Sequence, residues 1–290
     1  MKNEPILLQN ILALVTNFRE TTRSGVDMLL ERGKVRAIGR NLVQPGFAGR
    51  VIDCSESVVI PGMVNTHHHF YQTLTRNLPA VQNAKLFDWL VYLYEIWKHL
   101  DANAVYNSSL LAMGELLKTG CTATTDHHYL YPNNFDGDIM ELQFAAADLL
   151  GMRFSPTRGS MSLSKKDGGL PPDSVVQTED EILRNSQLVI EKYHDPRPDA
   201  MHKVILAPCS PFSVSKELMR DSARLARSSG VRLHTHLAEN DEDIAYSQAQ
   251  FGCRPGQYAE DLGWTGDDVW HAHCVKLDGQ EIDLFAKTGT

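Results

Sequence analysis

The chain has 290 residues, 42% of them hydrophobic and 22% charged, an ordinary balance for a folded protein with room for one α/β domain or a barrel with an appendage. Its net charge of −8 argues against a nucleic-acid backbone or an anionic membrane as partner, while leaving a small heterocycle open. Five scattered cysteines with no Cys-x-x-Cys pair, no leader-like N-terminus and no apolar run near the ~20 residues of a membrane span predict a cytoplasmic protein with reduced thiols.

Residues 1 to about 58 read as short strands: Pro5–Leu8, Ile11–Val15, Val26–Leu30, Val35–Gly39 and Val51–Asp53, with a hairpin break at Glu31-Arg32-Gly33-Lys34. From Val58 the texture changes to alternating strand and helix. A first strand runs Val58 through Val64, and an aromatic-rich helix over Ala84–Leu100 is expected to serve as core or as a lid. Asp101 caps the next helix, which stops at Gly120. A second strand, Cys121–Thr125, ends in Asp126-His127-His128, and a third, from Met152, ends near Thr157-Arg158-Gly159. Strand four is Val204–Pro208, strand five reaches His236, and strand six is Val269–Val275. A final helix begins near Asp278.

Three of these strands end in histidine clusters: His67-His68-His69 behind a Pro61-Gly62 turn, His234-Thr235-His236 followed by Glu239, and His271-Ala272-His273. In a strand, alternate side chains share a face, so His67 and His69 point the same way. Gathering such ends is what a parallel barrel does at its C-terminal rim. His67, His69 and His236 would give a divalent ion three neutral nitrogens, a set that suits Zn²⁺ and also Fe²⁺. Zinc in such a site lowers the pKa of a coordinated water to about 7. Glu239, three residues past His236, is placed to shuttle protons, and His273 to hydrogen-bond the attacking water or a developing oxyanion. His234 and His271 read as structural. Gln72 can offer an amide pair to a purine edge, Arg158 a charged donor to an oxo group, and Cys209 a small thiol at the end of strand four. One of Asp126, His127 and His128 can also line the pocket, but the sequence does not say which.

The segments Pro61–His69, His234-Thr235-His236-Leu237-Ala238-Glu239 and His271-Ala272-His273-Cys274 together resemble the amidohydrolase superfamily in its mononuclear deaminase branch. More narrowly, His67–Gln72, Asp167–Val176 and Ala207–Val214 are similar to the bacterial 8-oxoguanine deaminase family. The resemblance implies a (β/α)8 TIM barrel. Its first six βα units would occupy residues 59–290, with residues 1–58 as the N-terminal part of a β-sandwich domain. It implies His67, His69 and His236 as ligands of one divalent metal, zinc or else iron. Glu239 becomes the acid that protonates a ring nitrogen, and His273 the residue that polarises the water. The implied reaction is hydrolytic deamination of an oxidised purine by a metal-activated water, 8-oxoguanine giving urate and ammonia. The alternatives are guanine or an amino- or chlorotriazine with the same machinery. Only a small heterocyclic partner is expected, in a homo-oligomer. The family's remaining metal ligand, an Asp at the end of strand eight, has no counterpart before Thr290. The count of six units therefore predicts a fragment, inactive by itself, and leaves a non-catalytic metal- or ligand-binding chain as the rival from another class.

Overall fold

A computed structural model describes residues 4–17, 19–43 and 45–290 and divides the chain into two compact units at Met63/Val64. The first unit is all strand: β1 (Ile6–Ile11), β2 (Ala13–Leu14), β3 (Val26–Glu31), β4 (Lys34–Gly39), β5 (Arg50–Asp53) and β6 (Val58–Val59). They form a sheet of order β4-β3-β1-β5 and a separate pair β2-β6. The hairpin expected at Glu31–Lys34 is present, with Glu31 opposite Lys34. Arg32 (φ 52°) and Gly33 (φ 74°) are both left-handed, as a two-residue turn between twisted strands requires. The runs Pro5–Leu8 and Ile11–Val15 do not remain separate. β1 carries through to Ile11 by a bulge, in which Asn10 adopts φ 58° and its N–H donates to Asp27 Oδ1 at 2.9 Å. Ile11, Leu14, Val26, Met28 and Cys54 make this unit's core.

The strand expected over Val58–Val64 is also split. Pro61 has no N–H to give a ladder, so β6 pairs with β2, and a new strand, β7 (Met63–Asn65), opens the second sheet. Beyond it come α1 (Leu86–Trp97), α2 (Ala102–Lys118), β8 (Cys121–Asp126), α3 (Ile139–Leu150), β9 (Arg153–Ser160) and α4 (Glu179–Tyr193). Then follow β10 (Ile205–Pro208), α5 (Lys216–Ser229), β11 (Arg232–Leu237), α6 (Asp241–Phe251), α7 (Pro255–Asp261), β12 (Val269–His273) and α8 (Gly279–Thr288). The expected cap holds, with Asp101 accepting from Ala104 N at 2.7 Å, and the structure adds a capping box of Thr178 and Glu181 at the start of α4.

The strand order is β7-β8-β9-β10-β11-β12, and the pairs from β8 to β12 are parallel. Four strand spacings in a flat sheet would put β7 and β11 about 19 Å apart. Yet His67, just past β7, reaches His234 of β11 at 2.9 Å, and Trp270 of β12 donates to Thr66 O at 3.0 Å. The sheet is therefore curled as in an α/β barrel. Phe154, Leu206, Leu233 and Val269 face the helices and pack with Phe144, Ala223 and Phe285 in the main core.

Candidate metal centre

The ends of β7 and β11 deliver the three predicted ligands to one point. His67 and His69 lie in the segment beyond β7 rather than within the ladder, and His69 is extended (φ −128°, ψ 92°). His69 Nε2 and His236 Nε2 are 3.1 Å apart, and one nitrogen from each of His67, His69 and His236 lies within 4.8 Å of the others. Each ring is tied at its other nitrogen. His69 Nδ1 donates to His127 O at 2.8 Å and His236 Nδ1 to Cys209 O at 2.6 Å, while His67 Nδ1 meets His234 Nε2 at 2.9 Å. Burial lowers all three pKa values, His67 to about 4 with His273 and His68 adding to the effect, and His69 and His236 well below the usual 6.5. Neutral imidazoles with lone pairs converging on one point are the donor set a Zn²⁺ or Fe²⁺ ion takes.

Glu239 and His273 stand over this point. Their approach is made by two left-handed residues, Ala238 (φ 51°) just before Glu239 and His273 itself (φ 74°). Such conformations cost roughly 1–3 kcal/mol each in non-glycine residues and concentrate where a side chain must be re-aimed. The pleat would put His271 and His273 on one face. His271 does lie in the helix layer, against Phe285 and with Nε2 3.0 Å from Trp264 O. The positive φ swings His273 the other way, to stack on His236 at 5.3 Å. His273 Nε2 is 3.6 Å from Glu239 Oε2, too long for a hydrogen bond, so both polar edges stay free for a third group.

Burial raises the Glu239 carboxyl to about 7, and the Asp243 carboxylate pushes in the same direction. The folded chain thus holds a proton that the unfolded chain releases near 4.5, and stability falls as pH rises from there through about 7. Glu239→Gln cannot ionise. In thermal melts of the metal-free chain it is expected to match the wild type near pH 4.5. Near pH 8 it should be the more stable by on the order of 1–3 kcal/mol. Equal melting near pH 8 would show that the carboxylate ionises at no cost.

A cavity of about 770 Å³ opens onto the three histidines, Glu239 and His273, and it is also lined by Gln72, Cys209, Trp89, Tyr94, Tyr129 and Phe212. Its size is that of a small-ligand pocket. Gln72, on a short 3₁₀ turn after His69, and Cys209, whose thiol burial lifts to about 12, stand where the sequence placed them. Arg158 does not. It shares its strand face with Phe154, which packs on Phe144 of α3, so it too points to the helices. There its guanidinium donates to Asn185 Oδ1 at 2.5 Å and Gln177 Oε1 at 2.7 Å and covers the Tyr131 ring at 4.0 Å. None of Asp126, His127 and His128 lines the cavity either. They are its buried support: Asp126 accepts from Phe70 N at 2.8 Å, His127 N donates to His68 O at 2.7 Å, and the His127 ring stacks on His236 at 4.5 Å. That role, and the contribution of Tyr129 to the wall, left no spacing signal in the sequence, whereas Trp89 and Tyr94 come from α1, the aromatic-rich helix expected as core or lid.

A family model described as amidohydrolase family matches residues 58–290. The chain is 42% identical over 276 residues to 8-oxoguanine deaminase of Pseudomonas aeruginosa, covering 93% of this chain and 61% of that protein. It is 37% identical to hydroxydechloroatrazine ethylaminohydrolase of Pseudomonas sp. strain ADP, covering 93% of this chain and 58% of that protein. The fold superimposes on atrazine chlorohydrolase from Arthrobacter aurescens TC1 complexed with zinc with a TM-score of 0.90 at 29% identity, over 98% of this chain and 64% of that one. The chain thus spans about three-fifths of the length of the relatives it matches. Among the described residues no helix is long and apolar enough to cross a membrane.

Proposed function

The chain belongs to the amidohydrolase family, and from that premise we propose that its site carries out metal-dependent hydrolytic deamination of an oxidised purine, 8-oxoguanine and water giving urate and ammonia. The observation that carries the reading is the meeting of His67, His69 and His236 with Glu239 and His273 at the mouth of one cavity. We take residues 59–290 as the hydrolase barrel and 1–58 as part of a β-sandwich, in a cytoplasmic homo-oligomer.

His67, His69 and His236 would hold one divalent ion, zinc or iron. When bound, the ion supplies Lewis acidity to the attacking water. Glu239, protonated up to about pH 7, gives its proton to the ring nitrogen beside the carbon under attack. His273, whose pKa burial lowers, is neutral and orients the water through its ring nitrogen. Gln72 offers one donor and one acceptor to the purine edge. Trp89, Tyr94 and Tyr129 bound the cavity with apolar surface that suits a flat heterocycle.

A second reading, an aminotriazine as substrate, is favoured by the 37% identity to a relative named for removing ethylamine from a triazine. The test is release of ammonia or ethylamine from 8-oxoguanine, guanine, pterins, aminotriazines and ethylaminotriazines by a form of the protein as long as its relatives, under one set of conditions. We expect 8-oxoguanine to have the highest kcat/KM. A triazine turned over faster would move the assignment to the second reading, and release of neither amine from any of them would overturn both.

A further inference from the structure

We propose that His234 is a positioning residue for the metal ligand His67, deciding which of its two nitrogens faces the ion. The proposal rests on the metal-centre reading above. A neutral imidazole carries one N–H and one lone pair, and only the lone pair coordinates. For His69 and His236 a backbone carbonyl settles the matter, since His127 O and Cys209 O can only accept from Nδ1, leaving Nε2 for the ion. His67 has no carbonyl partner of this kind. Its Nδ1 faces His234 Nε2 at 2.9 Å, and a ring nitrogen can play either role. The role is fixed one step further back. His234 Nδ1 lies 2.9 Å from Trp270 O, which only accepts, so His234 carries its proton on Nδ1 and presents a lone pair at Nε2. That lone pair accepts from His67 Nδ1–H, and His67 Nε2 is left free for the ion. The relay runs from the Trp270 carbonyl through two rings to the centre.

His234 is built to hold this pose. It is fully buried and lies flat on the Trp270 indole, with centroids 4.6 Å apart and planes 17° apart. Trp270 is itself anchored by its Nε1 to Thr66 O at 3.0 Å, next to His67. His234 shares a strand face with His236 but sits two residues, roughly 7 Å, deeper, where it reaches the inner edge of His67 rather than the ion.

The same rings allow one other arrangement, in which His67, His127 and His234 bind a second ion, since one nitrogen of each also lies within 4.8 Å of the others. It would require His67 to lose both ring protons and bridge two ions. The relay needs no such charge.

The experiment compares the metal-free chain with its His234→Ala, His234→Gln and His271→Ala variants, titrating zinc against a chromophoric chelator and following folding by circular dichroism. We expect one zinc per wild-type chain and an affinity in His234→Ala lower by about 10–100-fold, the usual loss when the outer partner of a metal-bound histidine is removed. His234→Gln should recover part of this, because its amide oxygen can accept from His67 Nδ1. His271→Ala removes a half-buried histidine that does not touch the centre and should bind zinc like the wild type. Wild-type affinity in His234→Ala overturns the proposal, as does an equal loss in His271→Ala, which would mean general loosening. Two zinc ions per chain, one of them lost in His234→Ala, would make His234 a ligand and overturn it too. A folded wild type that binds no zinc overturns the metal-centre reading itself, and the relay falls with it.

Discussion

Replacing His236 with alanine is expected to abolish zinc binding, with a loss beyond the ~10–100-fold typical of an outer partner. The reason is the donor count. Catalytic zinc sites draw on three protein ligands, and without His236 the set at the mouth keeps only His67 and His69. His236 is also the ring between His127, stacked at 4.5 Å, and His273, stacked at 5.3 Å, so its removal opens space where the ion is held. Zinc titration of the folded variant checks the binding. X-ray absorption on the zinc-loaded wild type should give three nitrogens at about 2.0–2.1 Å. Undiminished affinity in His236→Ala would place the ion elsewhere, and hydrolysis by the active protein that survived the change would detach the chemistry from this centre.

The second large effect belongs to Glu239. Glu239→Gln keeps the shape and polarity of the side chain and removes its proton. Zinc content should be unchanged, because the carboxylate is not among the converging nitrogens. Turnover should fall by ~10²–10⁴-fold, the usual contribution of a positioned general acid. The wild-type rate should also decline as pH rises through about 7, where the carboxyl loses the proton it must donate. A variant with full zinc and full turnover would reduce Glu239 to a loop residue held by its backbone N–H on Asp243 Oδ2 at 2.8 Å.

Much of this site was legible in the chain. The three histidine motifs and the spacing from His236 to Glu239 named residues that converge on one cavity, and the strand–helix alternation placed them at one rim. Glu31-Arg32-Gly33-Lys34 announced its hairpin because a two-residue turn with left-handed positions has few sequence solutions. The break after β6 was present in Pro61 but was outweighed by the apolar run on either side of it.

What the sequence determined by itself was therefore local chemistry and order: which residue types end each strand, where chains turn, and which nitrogens and carboxylates are available. What only the tertiary structure decided was direction and depth. Side chains on a strand alternate with a period of two, so the inward or outward sense of a whole strand depends on how its pleat meets the sheet's curl. That is why Arg158, at the end of a strand like the others, faces the helices. Backbone twist at one residue breaks the alternation outright, as the φ of 74° does for His273. Depth is equally silent in the motif. His234 and His236 share a face, but the rise of the strand sends His236 to the cavity beside His69 and His234 to the far edge of His67, a contact between residues 167 positions apart. Only the closing of β7 onto β11 brings those two rings together.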